Sequence, residues 1–115
     1  MSRVKRGFKA RRRRNRILKA TSGFRGSRNN LIRNAKNALF KALTYAYRDR
    51  RTKKRLIRRL WIARINAATR MHGVRYGEFI SQLNKANIAL DRKVLADLAV
   101  NDQAGFARLV ELVRS

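Results

Sequence analysis

Residues 1–77 hold 26 lysines and arginines against one acid, Asp49, whereas residues 78–115 hold five basic and five acidic side chains. The whole formal charge of +25 therefore sits in the first two thirds of a 115-residue chain. Like charges at that density oppose a compact front segment unless a polyanion neutralises them, while the neutral back can fold as an ordinary small domain. Of the 31 basic residues, 22 are arginine. Guanidinium is weakly hydrated, forks onto phosphate oxygens and stacks on bases, so this preference points to phosphate as a partner.

Residue types that are missing narrow the chemistry. Without cysteine the chain has no disulfide framework, no thiolate zinc site and no thiol nucleophile. His72 is the sole imidazole, which removes multi-histidine metal centres and leaves a histidine relay without a partner. The expectation is a protein that is not an enzyme, with no cofactor and no small-molecule substrate. No window approaches the roughly 18 consecutive apolar residues of a membrane span. The basic start Met1–Gly7 has no apolar stretch behind it, so it does not read as a secretory signal, and the expected compartment is the cytoplasm.

Residues 1–22 form a basic arm whose run Arg11-Arg12-Arg13-Arg14-Asn15-Arg16 repels itself as an isolated helix. The same residues have good helix propensity once an anion is present, so ordering on binding is expected. Ser22-Gly23-Phe24-Arg25-Gly26-Ser27 reads as a hinge, with Ser27 the expected N-cap of the next helix. No Gly or Pro lies between Gly26 and Gly73. A narrow stripe of Leu31, Ala35, Ala38, Leu39, Ala42, Leu43 and Ala46 fades through Arg48–Arg55. It resumes at Leu56, Leu60, Trp61, Ile65 and Ala68. Residues 28–72, as one or two near-collinear helices, would reach roughly 65–70 Å and must project from any globule this chain can form. Gly73 is the expected C-terminal stop, with Arg70 and His72 in the last turn.

The neutral remainder reads as three short helices. Tyr76, Phe79, Ile80 and Leu83 mark the first, closed by Asn87. Asp91 caps the second, which carries Val94, Leu95 and Leu98. Asn101 or Asp102 caps the third, with Phe106, Leu109, Val110 and Val113 on one face. So short a segment lacks apolar surface to fold alone, and Trp61, Ile62, Ile65, Ala68 and Met71 can supply it. The predicted fold is all-α: a long basic N-terminal helical extension over 1–56, then a four-helix globular domain over 57–115.

The densest cationic constellation is Tyr45-Ala46-Tyr47-Arg48-Asp49-Arg50-Arg51-Thr52-Lys53-Lys54-Arg55, extended by Arg58 and Arg59. Successive residues step about 100° around a helix, so cations wrap every face, and such a helix sits among phosphates or is solvated. Asp49 is expected to pair with Lys53 one turn on and to orient a neighbouring guanidinium. His72 reads as a helix-end residue, and Trp61 as core rather than a stacking platform. Phe8 and Phe24 lie outside the stripes, so stacking on a base and local packing are both open to them. The candidate contacts to nucleic acid are Arg3, Lys5, Arg6, Phe8, Arg11, Arg12, Arg13, Arg14, Arg16, Phe24, Arg25 and Arg28 from the arm and hinge. The long helix adds Arg48, Arg50, Arg51, Lys53, Lys54, Arg55, Arg58 and Arg59. Charge around the whole helix and into an arm suits threading through folded RNA better than reading one groove of duplex DNA. A sequence-tolerant DNA-binding or DNA-compacting protein is the competing reading.

Several segments together resemble the L-twenty family of the bacterial large ribosomal subunit. They are Arg3-Val4-Lys5-Arg6-Gly7, Phe24-Arg25-Gly26 with Arg28, and Tyr45-Ala46-Tyr47-Arg48-Asp49-Arg50-Arg51. Leu60-Trp61-Ile62-Ala63-Arg64-Ile65-Asn66-Ala67-Ala68 and Asp91-Arg92-Lys93-Val94-Leu95-Ala96-Asp97-Leu98-Ala99 complete the match, in order over nearly the whole chain. Thr21-Ser22 and Asn29-Asn30 depart from it, leaving the hinge less charged than in many relatives. The resemblance implies a structural component that binds large-subunit ribosomal RNA early in assembly, beside neighbouring large-subunit proteins. For some members it also implies repression of their own operon messenger. It agrees with a helical C-terminal domain bearing a long helical extension.

Overall fold

A computed structural model describes residues 3–5 and 7–114. Every regular element in it is helical: α1 (Lys9–Ala20), a short 3-10 turn (Gly26–Arg28), α2 (Ile32–Met71), α3 (Tyr76–Lys85), α4 (Arg92–Asn101) and α5 (Gln103–Arg114). The all-α expectation holds, including the long helix. The chain forms two compact units, Met1–Arg51 and Thr52–Ser115, with α2 contributing to both.

In the first unit α1 is short, and its inward side is thin. Ile17 and Leu18 are half-buried, and Thr21 beyond its end is fully buried. The Thr21 hydroxyl donates to the Ile17 carbonyl at 3.2 Å, and Thr21 N–H donates to the same carbonyl at 3.1 Å. Together they satisfy an end-of-helix acceptor that would otherwise be orphaned in a buried place. Ala35 is the one residue of the α2 stripe in this unit that is fully buried; Ala38, Leu39, Ala42 and Ala46 are half-buried, and Leu31 and Leu43 are exposed.

The start of α2 differs from expectation. Ser27 does not cap it. Gly26 adopts φ 69°, a left-handed conformation open to glycine, and the backbone turns through a 3-10 segment before the helix begins at Ile32. The Ser27 hydroxyl instead accepts from Asn34 Nδ2 at 2.7 Å.

The helix ends as expected. Gly73 has φ 73°, Val74 N–H donates to the Thr69 carbonyl at 3.0 Å, and Gly73 N–H donates to the Arg70 carbonyl at 3.0 Å. This is a Schellman motif, in which glycine avoids the steric cost of a left-handed residue. α3 ends on the same motif with Asn87 in the left-handed position (φ 54°): Ile88 N–H reaches the Leu83 carbonyl and Asn87 N–H the Asn84 carbonyl. Both caps predicted for the last two helices are present. The Asp91 carboxylate accepts from Val94 N–H, and that of Asp102 from Gly105 N–H, each at 2.8 Å. At the head of α3 the Glu78 carboxylate accepts from Arg75 N–H.

In the second unit α5 packs on both α3 and α4. Ile65, Val74, Phe79, Leu83, Leu95, Ala96, Phe106, Val110 and Val113 form its core. Trp61 and Ala68 pack against that core, which supports the structural reading of the tryptophan. The rings of Phe79 and Phe106 meet at 5.5 Å and a 46° tilt, a favourable offset arrangement. Among the expected apolar positions Leu60, Met71 and Val94 lie outside. Met71 is 79% exposed because it stands about 240° around the helix from Ile65, whereas Thr69 stands about 40° away and is fully buried. Val94 is 43% exposed, since Leu95 and Ala96 define the inner face of α4 and Val94 falls on its far side. No helix among the described residues is long and apolar enough to cross a membrane.

Candidate nucleic-acid interface

α1 carries seven cations in twelve residues, and Arg11, Arg12, Arg13, Arg14 and Arg16 are all exposed. Helical geometry spreads four consecutive arginines around the full circumference, so α1 presents cations on every face. Phe8, just ahead of α1, is 60% exposed with the Arg12 guanidinium 4.1 Å from its ring centroid. A planar cation on an aromatic face is held at little entropic cost and keeps its outer N–H groups free for phosphate. Arg3 and Lys5 lie exposed in the irregular segment before it, and Arg6 falls outside the described residues.

Tertiary structure adds a cation that no local run in the sequence marks. Ala10, Arg13, Arg14 and Ile17 of α1 and Ile32 and Lys36 of α2 line one cleft, so Lys36 joins two arginines distant in sequence. In the hinge, Phe24 is half-buried and Arg25 and Arg28 are exposed. Phe24 and Arg28 share a groove of about 490 Å³ with residues of the first turns of α2, among them Lys41. Phe24 is thus partly committed to its own fold.

Along α2 every residue from Tyr47 to Arg51 in the first unit, and from Thr52 to Leu56 in the second, is exposed. Arg48, Arg50, Arg51, Lys53, Lys54 and Arg55 are therefore all open to solvent, as are Arg58 and Arg59. A helix with no buried face over that stretch is not using it to pack within this chain. Two tyrosines organise the arginines. The Arg51 guanidinium lies 3.5 Å from the Tyr47 ring centroid and donates to the Tyr47 carbonyl at 3.1 Å. Arg48 lies 4.8 Å from the centroid of Tyr45.

Asp49 behaves differently from expectation. Its carboxylate accepts from Arg48 Nε at 2.9 Å and not from Lys53. The planar guanidinium of its chain neighbour reaches the carboxylate in a directed, charge-assisted hydrogen bond. That hydrogen bond, then the charge of Asp49, holds Arg48 above its ordinary pKa, without consequence for a group already always protonated. Orientation is the useful result: Arg48 is fixed between the carboxylate and the Tyr45 ring.

Arg33, Lys41, Arg64, Arg70 and Arg75 are exposed as well and extend the cationic surface beyond the residues singled out from sequence. Their signal was present in the composition but not in any local run. His72 sits at the end of α2, its ring tilted at 6.3 Å from Phe106.

The model of the family described as "Ribosomal protein L20" matches residues 3–109. The chain is 57% identical over 115 residues to the large ribosomal subunit protein bL20 of Pelobacter propionicus, covering all of this chain and 98% of that one. It is 64% identical over 107 residues to bL20 of Desulforapulum autotrophicum, covering 93% and 92% of the two chains. With bL20 of Desulfosudis oleivorans it shares 59% identity over 108 residues, 94% and 93% of the two.

Proposed function

The chain belongs to the ribosomal protein L20 family, and on that basis we propose that it binds large-subunit ribosomal RNA directly and supports early assembly of the subunit. It is a structural constituent of the large ribosomal subunit, located in the cytoplasm within the ribosome, and not an enzyme. Residues 1–56 act as the RNA-threading arm and helix, and residues 57–115 as the globular domain, in contact with ribosomal RNA and neighbouring large-subunit proteins. The observation that carries this reading is that every α2 residue over 47–51 and over 52–56 is exposed, cationic on every side with one acid among them. Protein surfaces rarely offer enough negative charge to neutralise such a segment on all sides, whereas RNA helices that surround it do.

Neutralisation is also what makes the arm useful. Phosphates of neighbouring RNA helices repel until cations intervene, and each contact releases condensed counterions. Guanidiniums already stacked on Phe8, Tyr45 and Tyr47 lose little further freedom when they bind. The test is competition between a large-subunit ribosomal RNA transcript and duplex DNA for the full chain at physiological salt. A preference for RNA of tenfold or more is expected, and equal affinity would favour the DNA-compacting reading. Repression of its own messenger would use the same surface. Its test is a reporter fused to the operon leader, with translation expected to fall when the chain is co-expressed.

A further inference from the structure

The groove between the hinge and the start of α2 holds chemistry that a purely phosphate-neutralising surface does not need. Phe24, Ser27, Arg28, Asn34, Asn37, Lys41 and Tyr45 are among the residues that line it, and its volume is about 490 Å³. That volume lies in the range of pockets that hold small organic groups. Phe24 is half-buried and supplies an aromatic surface inside the groove. Asn34 Nδ2 donates to Ser27 Oγ at 2.7 Å, which leaves Asn34 Oδ1 and the Ser27 hydroxyl proton uncommitted. The Asn37 amide makes no hydrogen bond within the described residues, so both its donor and its acceptor are unspent. Two cations, Arg28 and Lys41, stand beside these neutral groups rather than other arginines.

We infer that this groove receives a single unpaired nucleotide of the bound RNA, its base stacked on Phe24, its edge read by the amides of Asn37 and Asn34, and its flanking phosphates on Arg28 and Lys41. The inference rests on the RNA-binding reading above and adds to it a place where sequence or local RNA shape is read. An amide presents a donor beside an acceptor, the pattern that a base edge complements, and unpaired bases in RNA are recognised by stacking together with such edge contacts. Phosphate contacts position a protein and carry no base information, so a neutral polar lining is what separates a reading site from a clamp. Residues 47–56 of α2, six cations with Tyr47, Asp49, Thr52 and Leu56, include no amide side chain.

The test uses the full chain, a large-subunit ribosomal RNA transcript, and nucleotide-resolution chemical probing of the complex. Asn37 is exposed on a helix, and Asn37→Leu fills the groove without disturbing a partner, so circular dichroism should be unchanged. Wild type should protect one or two unpaired nucleotides that Asn37→Leu leaves reactive. The variant should bind on the order of tenfold more weakly, with an unaltered salt dependence. Phe24→Ala should lose the same protections, and ultraviolet cross-linking should join the peptide containing Phe24 to one of those nucleotides. If both variants keep the wild-type protections and affinity, the groove is not a nucleotide site although RNA binding stands. If wild type itself fails to bind the transcript, the RNA-binding reading fails and this inference with it.

Discussion

At the scale of single residues, the second unit depends on a few fully buried side chains. Phe106 is 1% exposed, meets Phe79 at 5.5 Å and lies on the helix that packs against both α3 and α4. Truncation of such a ring removes its transfer free energy and leaves a cavity, so Phe106→Ala should cost about 3–5 kcal/mol. A unit this small has about 3–10 kcal/mol of stability in all. The cooperative part of the thermal melt, followed by circular dichroism at high salt, should therefore drop sharply or vanish. Asp102→Ala tests a smaller quantity. It removes the acceptor for Gly105 N–H and should cost about 1 kcal/mol, seen as a modest loss of thermal midpoint with no change in RNA affinity. Residue-level expectations hold where the cause is local. The caps at Asp91 and Asp102 and the stops at Gly73 and Asn87 arise from groups acting within a turn or two. The Ser27 cap and the Asp49–Lys53 pair do not form, because a 3-10 turn and a better-directed arginine compete for those groups.

Between residue and molecule, α1 is the element whose formation depends most on surroundings. It has 12 residues, seven of them cationic, and no acid in its first turn. Isolated helices of that length are marginal in water, and like charges one turn apart weaken them further. Its contacts with the first unit through Ile17, Leu18 and Thr21 are few. Amide hydrogen exchange of the full chain should thus find α1 poorly protected at low salt without RNA, while α3, α4 and α5 exchange slowly. Addition of the ribosomal RNA transcript should slow α1 by at least tenfold. Equal protection of α1 with and without RNA would contradict coupled ordering. The period of apolar residues marked α2 as a helix, and propensity with an anion present marked the basic arm, but neither says how each is covered. Only Ala35 of the α2 stripe becomes fully buried in the first unit, a distinction that spacing cannot make.

For the molecule as a whole, charge decides the behaviour in solution. A chain that places its entire +25 in residues 1–77 should bind RNA with a steep salt dependence. If about ten phosphates are contacted, log affinity falls by about 7 to 9 for each unit of log salt. A titration from low to physiological salt measures that slope directly, and a value near zero would remove the electrostatic basis of the proposed function. Removing charges in pairs from α2, as in Arg50→Ala with Arg51→Ala, should lower the slope by about one to two. The effect should be similar across RNA sequences, unlike that of Asn37→Leu.

The sequence by itself determined what depends on composition and on neighbours within a turn: the helices, most of their ends, and the separation of a cationic front from a neutral back, from which phosphate is the expected partner. These arise from propensity, capping and summed charge, none of which needs the chain to meet itself. Only the tertiary structure decided which members of an apolar stripe are buried, as with Thr69 inside and Met71 outside. It alone brought Lys36 to the arginines of α1, and Phe24 to Asn37 and Lys41. Burial and cross-chain juxtaposition depend on how the hinge folds back on α2 and how helices turn against each other. Those are set by the packing of many side chains at once, which no local spacing records.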